Sequence, residues 1–205
     1  MPKIVDHDER RDRISQAACG VIARVPLDRL TLRDIAAAAG CTTGAVTHYF
    51  TDKGEVLAAA LDWVIRSRER RLEGEFRDGA PDLRRVLCQH LPLDQERVVE
   101  SRVMCAFIGK AYNDDQLSAK RRSRAVELHE VFQRTLEYCR KNGTVSPDCD
   151  TEQEAELLLD LIMGISMRTS LDPDRWPPAK QIEHLDAYLE KLGETAAQAG
   201  ERWPP

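Results

Sequence analysis

The chain has 205 residues, 42% hydrophobic and 32% charged, which suits one large or two small globular domains and excludes a disordered polypeptide. Its formal charge of −5 excludes a uniformly basic nucleic-acid coat. The charge is uneven: residues 1–53 carry eight Lys/Arg against seven Asp/Glu, a net of +1, whereas the remainder carries 22 against 28, a net of −6. Any nucleic-acid contact is therefore expected in the N-terminal quarter.

Helical periodicity runs almost throughout and no long stretch alternates like a strand, so the predicted fold is all-α with about nine helices. The first helix, about 8–25, places Ile14, Ala18, Val21, Ile22 and Val25 on one side. Thr31-Leu32-Arg33-Asp34 is a capping-box pattern with Asp in place of Glu; it opens a second helix, about 32–39, that stops at Gly40. Thr42 is the natural N-cap of a third helix, about 43–49. Asp52 with Glu55 is a second capping-box candidate, at the start of a fourth helix, about 53–74. Two short helices joined by a Gly-containing turn form a helix-turn-helix arrangement. On the third helix Val46 and Phe50 share one side. Gly44 and His48 point the other way, flanked by Ala45 and Thr47, a small polar face of the kind that fits a groove.

After a loop at 74–82, five further helices are predicted. The fifth, about 82–91, and the sixth, about 94–112, are amphipathic. The seventh, about 114–141, has a charged side (Lys120, Arg121, Arg122, Arg124) that reads as a solvated face. The eighth, about 151–171, is apolar nearly all round and must be covered on both sides. With a ninth, about 177–192, from each of two subunits, it would build a four-helix dimer interface. The residues expected there are Leu157, Leu161, Gly164, Ile165, Ile182, Leu185, Leu189 and Leu192. These elements suggest a helix-turn-helix domain at 1–52, a ligand-binding and dimerisation domain at 53–193 and a flexible tail at 194–205.

The six cysteines show no C-x-x-C pair and no metal-like spacing with the histidines, so they read as small buried hydrophobes, with no metal and no cofactor expected. The N-terminus lacks an apolar signal-peptide core, and no apolar run approaches a membrane span; unpaired thiols then suggest the cytoplasm. No phosphate-binding loop, zinc-protease motif or nucleophile elbow is present, which argues against an enzyme. A helical adaptor that binds only protein is a weaker rival, because it does not explain the small polar face of the third helix.

The run from Thr31 to Leu57, with its Gly40-Cys41-Thr42 turn, Thr47-His48-Tyr49-Phe50 and Asp52-Lys53, resembles the DNA-binding signature of the TetR family of bacterial transcriptional regulators. His90-Leu-Pro-Leu-Asp-Gln-Glu-Arg97 and Leu171-Asp-Pro-Asp-Arg-Trp-Pro-Pro178 are similar to the ligand-binding domain of its BetI-like branch. The resemblance implies a homodimeric, ligand-responsive repressor of a palindromic operator. Two copies of the third helix would enter successive major grooves about 34–36 Å apart.

By resemblance and wheel position, Thr43, Gly44, Ala45, Thr47 and His48 are expected to face bases. Thr31, Arg33, Thr42, Tyr49 and Lys53 would position the backbone. Thr31 and Thr42 read equally as caps alone, Arg33 as a surface residue and His48 as a phosphate contact. Many members carry Tyr where this chain has Thr47, so a frequent aromatic phosphate contact is absent. The inner faces of helices four to eight offer Trp63, Leu87, His90, Met104, Phe107, Ile108, Phe132, Met163, Ser166 and Met167 for a largely apolar effector; the alternative for each is an ordinary packed core, and for His90 a satisfied core histidine. Choline, which the branch brings to mind, is disfavoured by the scarcity of aromatic residues.

Overall fold

Caps and turns set the helix boundaries, and the computed structural model, which describes residues 7–77 and 82–197, shows nine helices and no strand among them. They are α1 (His7–Ile22), α2 (Leu32–Ala38), α3 (Thr43–Tyr49), α4 (Lys53–Arg77), α5 (Leu83–Cys88), α6 (Gln95–Ala111), α7 (Asp115–Lys141), α8 (Thr151–Leu171) and α9 (Pro178–Ala197).

Four boundaries differ from the sequence expectation. α1 stops at Ile22 rather than near Val25: the Arg24 amide tightens onto the Val21 carbonyl (2.9 Å), and Pro26 bars a further helical turn. α4 runs through Gly74 to Arg77, since a helical glycine weakens the backbone without blocking it. α5 is shorter than expected: Asp82 is its cap, accepting from the Arg85 amide (3.0 Å), and tight i→i+3 bonds carry the chain off at Gln89–Leu91, just before Pro92. α9 continues past Gly193 to Ala197, so the expected flexible tail is helical over its first four residues; 198–205 lie outside the described residues.

The chain divides into two compact units, Met1–Ser67 with Val99–Ser118 and Arg68–Val98 with Ala119–Pro205. The boundary expected at 52/53 is not where packing separates. Val56, Leu57, Ala60, Leu61 and Val64 of α4, and Val103 and Phe107 of α6, share one core with Ile14, Ala18, Ile22, Ile35, Val46 and Phe50. The N-terminal helices are too short to enclose a core by themselves, and α4 and α6 complete it.

The second unit has its own core, built on Leu83, Val86, Leu87, Phe132, Leu136, Leu158, Ile162, Leu185 and Leu189. Buried Gln181 ties its loops together, its Nε2 donating to the carbonyls of Pro92 (3.2 Å) and Trp176 (3.0 Å). Arg84 of α5 makes a two-pronged contact with Asp186 of α9 (2.6 and 3.0 Å).

Several expected dimer-interface residues belong instead to this interior. Ile165, Leu185, Leu189 and Leu192 are buried within the single chain and Ile182 is half-buried, because the α8–α9 seam closes on the subunit's own core. Leu157 and Gly164 are exposed and Leu161 half-buried. Only one side of α8 is covered by its own chain; Leu157, Met163, Met167 and Leu171 stand in the open.

None of the six cysteines is in a disulfide among the described residues: Cys19, Cys139 and Cys149 are buried and Cys41, Cys88 and Cys105 half-buried. Burial pushes the Cys19 thiol up to about 12 and that of Cys149 up to about 11, so both remain protonated packing groups.

Gly40 has φ +63°, the left-handed region, whereas Gly74 lies inside α4 with open space where a Cβ would go. Gly40→Ala should therefore cost about 1–2 kcal/mol, and Gly74→Ala should stabilise by roughly 0.5–1 kcal/mol. Urea denaturation of the two variants checks the opposite signs.

Candidate nucleic-acid interface

The α2–α3 turn is closed entirely by local bonds. After Ala39, the left-handed Gly40 lets the Cys41 amide return to the Ala36 carbonyl (2.9 Å), ending α2. One residue later the Thr42 hydroxyl accepts from the Ala45 amide (3.1 Å) and starts α3. At the head of α2 the expected capping box is present: Thr31 Oγ1 accepts from the Asp34 amide (3.2 Å), and Asp34 Oδ2 accepts from the Thr31 amide (2.9 Å) and hydroxyl (2.6 Å). These Thr31 bonds hold the Asp34 carboxyl below the ordinary aspartate range.

At the head of α4 the box takes a different form. Asp52 Oδ1 accepts from the Glu55 amide (2.9 Å), but the Glu55 carboxylate reaches the Thr51 amide (2.8 Å) and hydroxyl (3.0 Å) instead of the Asp52 amide. The Glu side chain is long enough to span back one residue further.

α3 is held from one side only. Val46 and Phe50 have no exposed surface and lie in the first core, and Tyr49 packs partly against it. Thr42, Thr43, Gly44, Thr47 and His48 are exposed, and Ala45 is half-exposed. The Thr47 hydroxyl donates to the Gly44 carbonyl (3.1 Å), turning its methyl outward from the helix backbone. A Cβ added at Gly44 would meet nothing closer than Thr42 Oγ1 at 3.8 Å, so the chain's own packing does not demand glycine there. What the missing side chain spares is room for a body approaching from outside. Thr31, Arg33 and Lys53 are exposed as well.

All ten candidate DNA-contact residues thus fall in one unit, on the start of α2, on α3 and its cap, and on the start of α4. Sequence reasoning missed His7. Its ring lies 5.9 Å from that of His48 and 5.7 Å from that of Tyr49, bringing the start of α1 beside the end of α3. No local pattern signals a contact across forty residues.

The ten candidate ligand residues do not gather in the same way. Trp63, Met104 and Phe107 pack in the first core, with Ile108 half-buried in that unit. Leu87 and Phe132 pack in the second, where Ser166 is half-buried. Met163 and Met167 are 46% and 40% exposed, a correction to the inner-face expectation: the buried arc of α8 runs through Ala155, Leu158, Ile162, Ile165 and Thr169, and the two methionines fall opposite it. Two clefts of about 550 and 660 Å³ in the first unit, one beside Ile22–Leu27 and α6, the other beside Leu30 and Lys53, include none of the ten.

His90 also departs from expectation. It is 6% exposed, its ring is edge-on to Phe132 at 5.3 Å, and neither Nδ1 nor Nε2 has a hydrogen-bond partner among the described residues. It is buried and not satisfied. Burial, with the nearby charges of Arg68 and Arg71, pushes its pKa down to about 3, so the imidazole is neutral.

Comparison with known proteins agrees with this geometry. Residues 14–60 match the model of bacterial regulatory proteins of the tetR family, and residues 80–194 match that of the C-terminal region of the BetI-type transcriptional repressor. The chain belongs to the TetR family of bacterial transcriptional regulators. Its C-terminal region, which is more than half of the sequence, is of the BetI type. It is 29% identical over 179 residues to the HTH-type transcriptional regulator PksA of Bacillus subtilis (strain 168), covering 85% of each chain. A solved transcriptional regulator from Rhodococcus sp. Rha1 is 28% identical with a TM-score of 0.77, over 90% of this chain and 96% of that one. A structure from Saccharomonospora viridis in complex with choline shares the fold at 19% identity, with a TM-score of 0.76 over 90% of this chain and 97% of that one.

The neutral His90 has a consequence for acid stability. Its folded pKa lies below the ordinary 6.5, so between about 6.5 and about 3 the unfolded chain binds a proton that the folded chain refuses. Stability from this group should therefore be lost as pH falls, by about 1.4 kcal/mol per pH unit within that window. His90→Phe should remove that slope, and denaturant melts of both proteins from pH 7 to pH 4 measure the difference. Equal acid slopes in the two proteins would show the imidazole is not held neutral.

Proposed function

We propose that this regulator is a cytoplasmic repressor that binds a palindromic operator as a homodimer and is released by a small-molecule effector. The observation that carries the reading is the outer face of α3, small, polar and exposed along its length while its opposite side is anchored by Val46 and Phe50. Thr43, Gly44, Ala45, Thr47 and His48 read base edges; hydroxyls donate or accept, and Thr and Ala methyls meet thymine methyls. Thr31, Arg33, Thr42, Tyr49 and Lys53 set the register on phosphates, helped by the amide-rich starts of α2 and α4.

The dimer forms through the open side of α8, where Leu157, Leu161, Met163, Gly164, Met167 and Leu171 leave an apolar stripe that a soluble monomer would not keep uncovered. Release is a change in the separation of the two copies of α3. α4 supports this coupling, because the helix is continuous through residue 67, where one compact unit ends and the other begins. An effector that fits one arrangement better than another shifts the population of DNA-competent dimers. No helix among the described residues is long and apolar enough to cross a membrane.

Selection of bound sequences from a random DNA pool tests the reading by returning a half-site and its spacing. With about four phosphate contacts per subunit the log–log salt slope is about −7 for a dimer. Lys53→Ala should weaken binding to every sequence and make that slope shallower by about 2, whereas Thr47→Ala should change base preference at one position per half-site. If neither variant alters binding, α3 is not the reading element.

Gly164→Arg offers a second check. Outside its own helix backbone, nothing among the described residues lies within 4 Å of a Cβ there, so the subunit should fold as before. Sedimentation should nonetheless show a dimer weakened by tenfold or more, about 1.4 kcal/mol, because a long charged side chain would be driven into the partner.

A further inference from the structure

The first unit sets an imidazole where its core has run out. On α1 the buried arc passes through Ile14, Ala18 and Ile22, and His7 and Arg11 continue that stripe toward the helix start at helical spacing. An apolar residue at His7 would prolong the core over the end of α3. Instead an exposed imidazole lies there, 5.9 Å from the His48 ring and 5.7 Å from the Tyr49 ring. His48 and Tyr49 meet edge-on at 5.2 Å, so the three rings form one cluster. One turn on, Arg11 lies over the Phe50 ring at 5.3 Å, and two successive turns of α1 thus rest on the end of α3 and its cap.

Ring packing alone does not call for histidine. A phenylalanine would make the same tilted contacts. What the imidazole adds is an N–H donor, and Tyr49 beside it adds an O–H. Neither group hydrogen-bonds to a protein acceptor among the described residues. Both stand next to His48, the last outward residue of α3, at the edge of the exposed small face. Ring centroids 5.7 Å apart leave two donors within reach of the oxygens of one phosphate.

The carboxylates of the neighbourhood are turned aside or occupied. Asp8 and Glu9 lie about 100° and 200° round α1 from His7. Glu55, 3.9 Å from Arg11, already accepts from the Thr51 amide and hydroxyl. Arg10 and Arg11 lie on the His7 side of the helix.

We infer that His7 is a further DNA contact, its imidazole N–H donating to the backbone phosphate that Tyr49 also meets. This rests on the reading of α3 as the element that enters the operator, and it adds to that element an anchor from outside the helix-turn-helix. Base readout by His48 gives way to backbone contact at this cluster, and α1 supplies the second donor.

Anisotropy titrations of the full chain on the duplex returned by the random-pool selection test this, with His7→Phe and His7→Gln as a crossed pair. The first keeps the ring and loses the donor; the second keeps an N–H donor and loses the ring. His7→Phe should weaken binding about tenfold or more, and His7→Gln by less than about threefold. His7 is exposed, so both variants should hold the wild-type Tm to within about 2 °C. A second arm replaces single phosphates of the duplex by neutral methylphosphonates. The penalty at one position per half-site should shrink about threefold or more in His7→Phe and persist in His7→Gln.

Wild-type affinity in His7→Phe, or a methylphosphonate penalty undiminished in that variant, overturns the inference and leaves the ring a packing group. If both variants weaken binding, the methylphosphonate arm decides. A wild-type chain for which selection returns no preferred sequence removes the regulator reading and this inference with it. Operator binding that His7→Phe leaves unchanged removes this inference alone.

Discussion

The one-sided anchoring of α3 is the constraint on which the rest depends. Seven residues make barely two turns, too few to persist as a helix in water without help. Burial of Val46 and Phe50, together with the Thr42 cap, supplies that help from a single side and leaves the other bare. Because the hydrophobic core stops at Val46, the outer side chains have no packing role to satisfy. They are free to be chosen for what they meet outside the protein.

That core is more extended than a three-helix domain. The early turns of α4 and the body of α6 are part of it, which makes the helix-turn-helix mechanically dependent on elements from the middle of the chain. An N-terminal piece ending near residue 52 would lose Val56, Leu57, Leu61 and Val64 from around Ile14 and Phe50. The same shared core ties α3 to the early turns of α4. The second core is self-contained, and its polar exceptions are informative. Gln181 spends its amide nitrogen on two loop carbonyls, a structural duty that explains why the Leu-Pro-Leu and Trp-Pro-Pro segments stay together. His90 has no such duty.

Local signals were legible where the physics is local. The capping box at Thr31 and Asp34, the left-handed stop at Gly40, the Thr42 cap and the inward Val46 and Phe50 all rest on bonds or periodicity within a few residues, and the structure has each in place. The α4 box was only half legible, because whether Glu55 reaches Asp52 or Thr51 depends on rotamer and not on residue type. The apolar arc of α8 was visible, but which third of it meets its own chain was not. Ile165 and Met163 are equally apolar letters; packing buries one and leaves the other 46% exposed.

The sequence by itself therefore determined the helical class, the helix-turn-helix and the identity of the face that points away from the core, since hydrophobic period and capping chemistry are properties of short segments. Only the tertiary structure decided that the first core recruits α4 and α6, that His7 joins His48, that Leu185 and Leu189 are interior, and that the His90 ring has no hydrogen-bond partner among the described residues. Each of those depends on which surfaces from distant parts of the chain come to rest against one another, and no window of neighbouring residues contains that information.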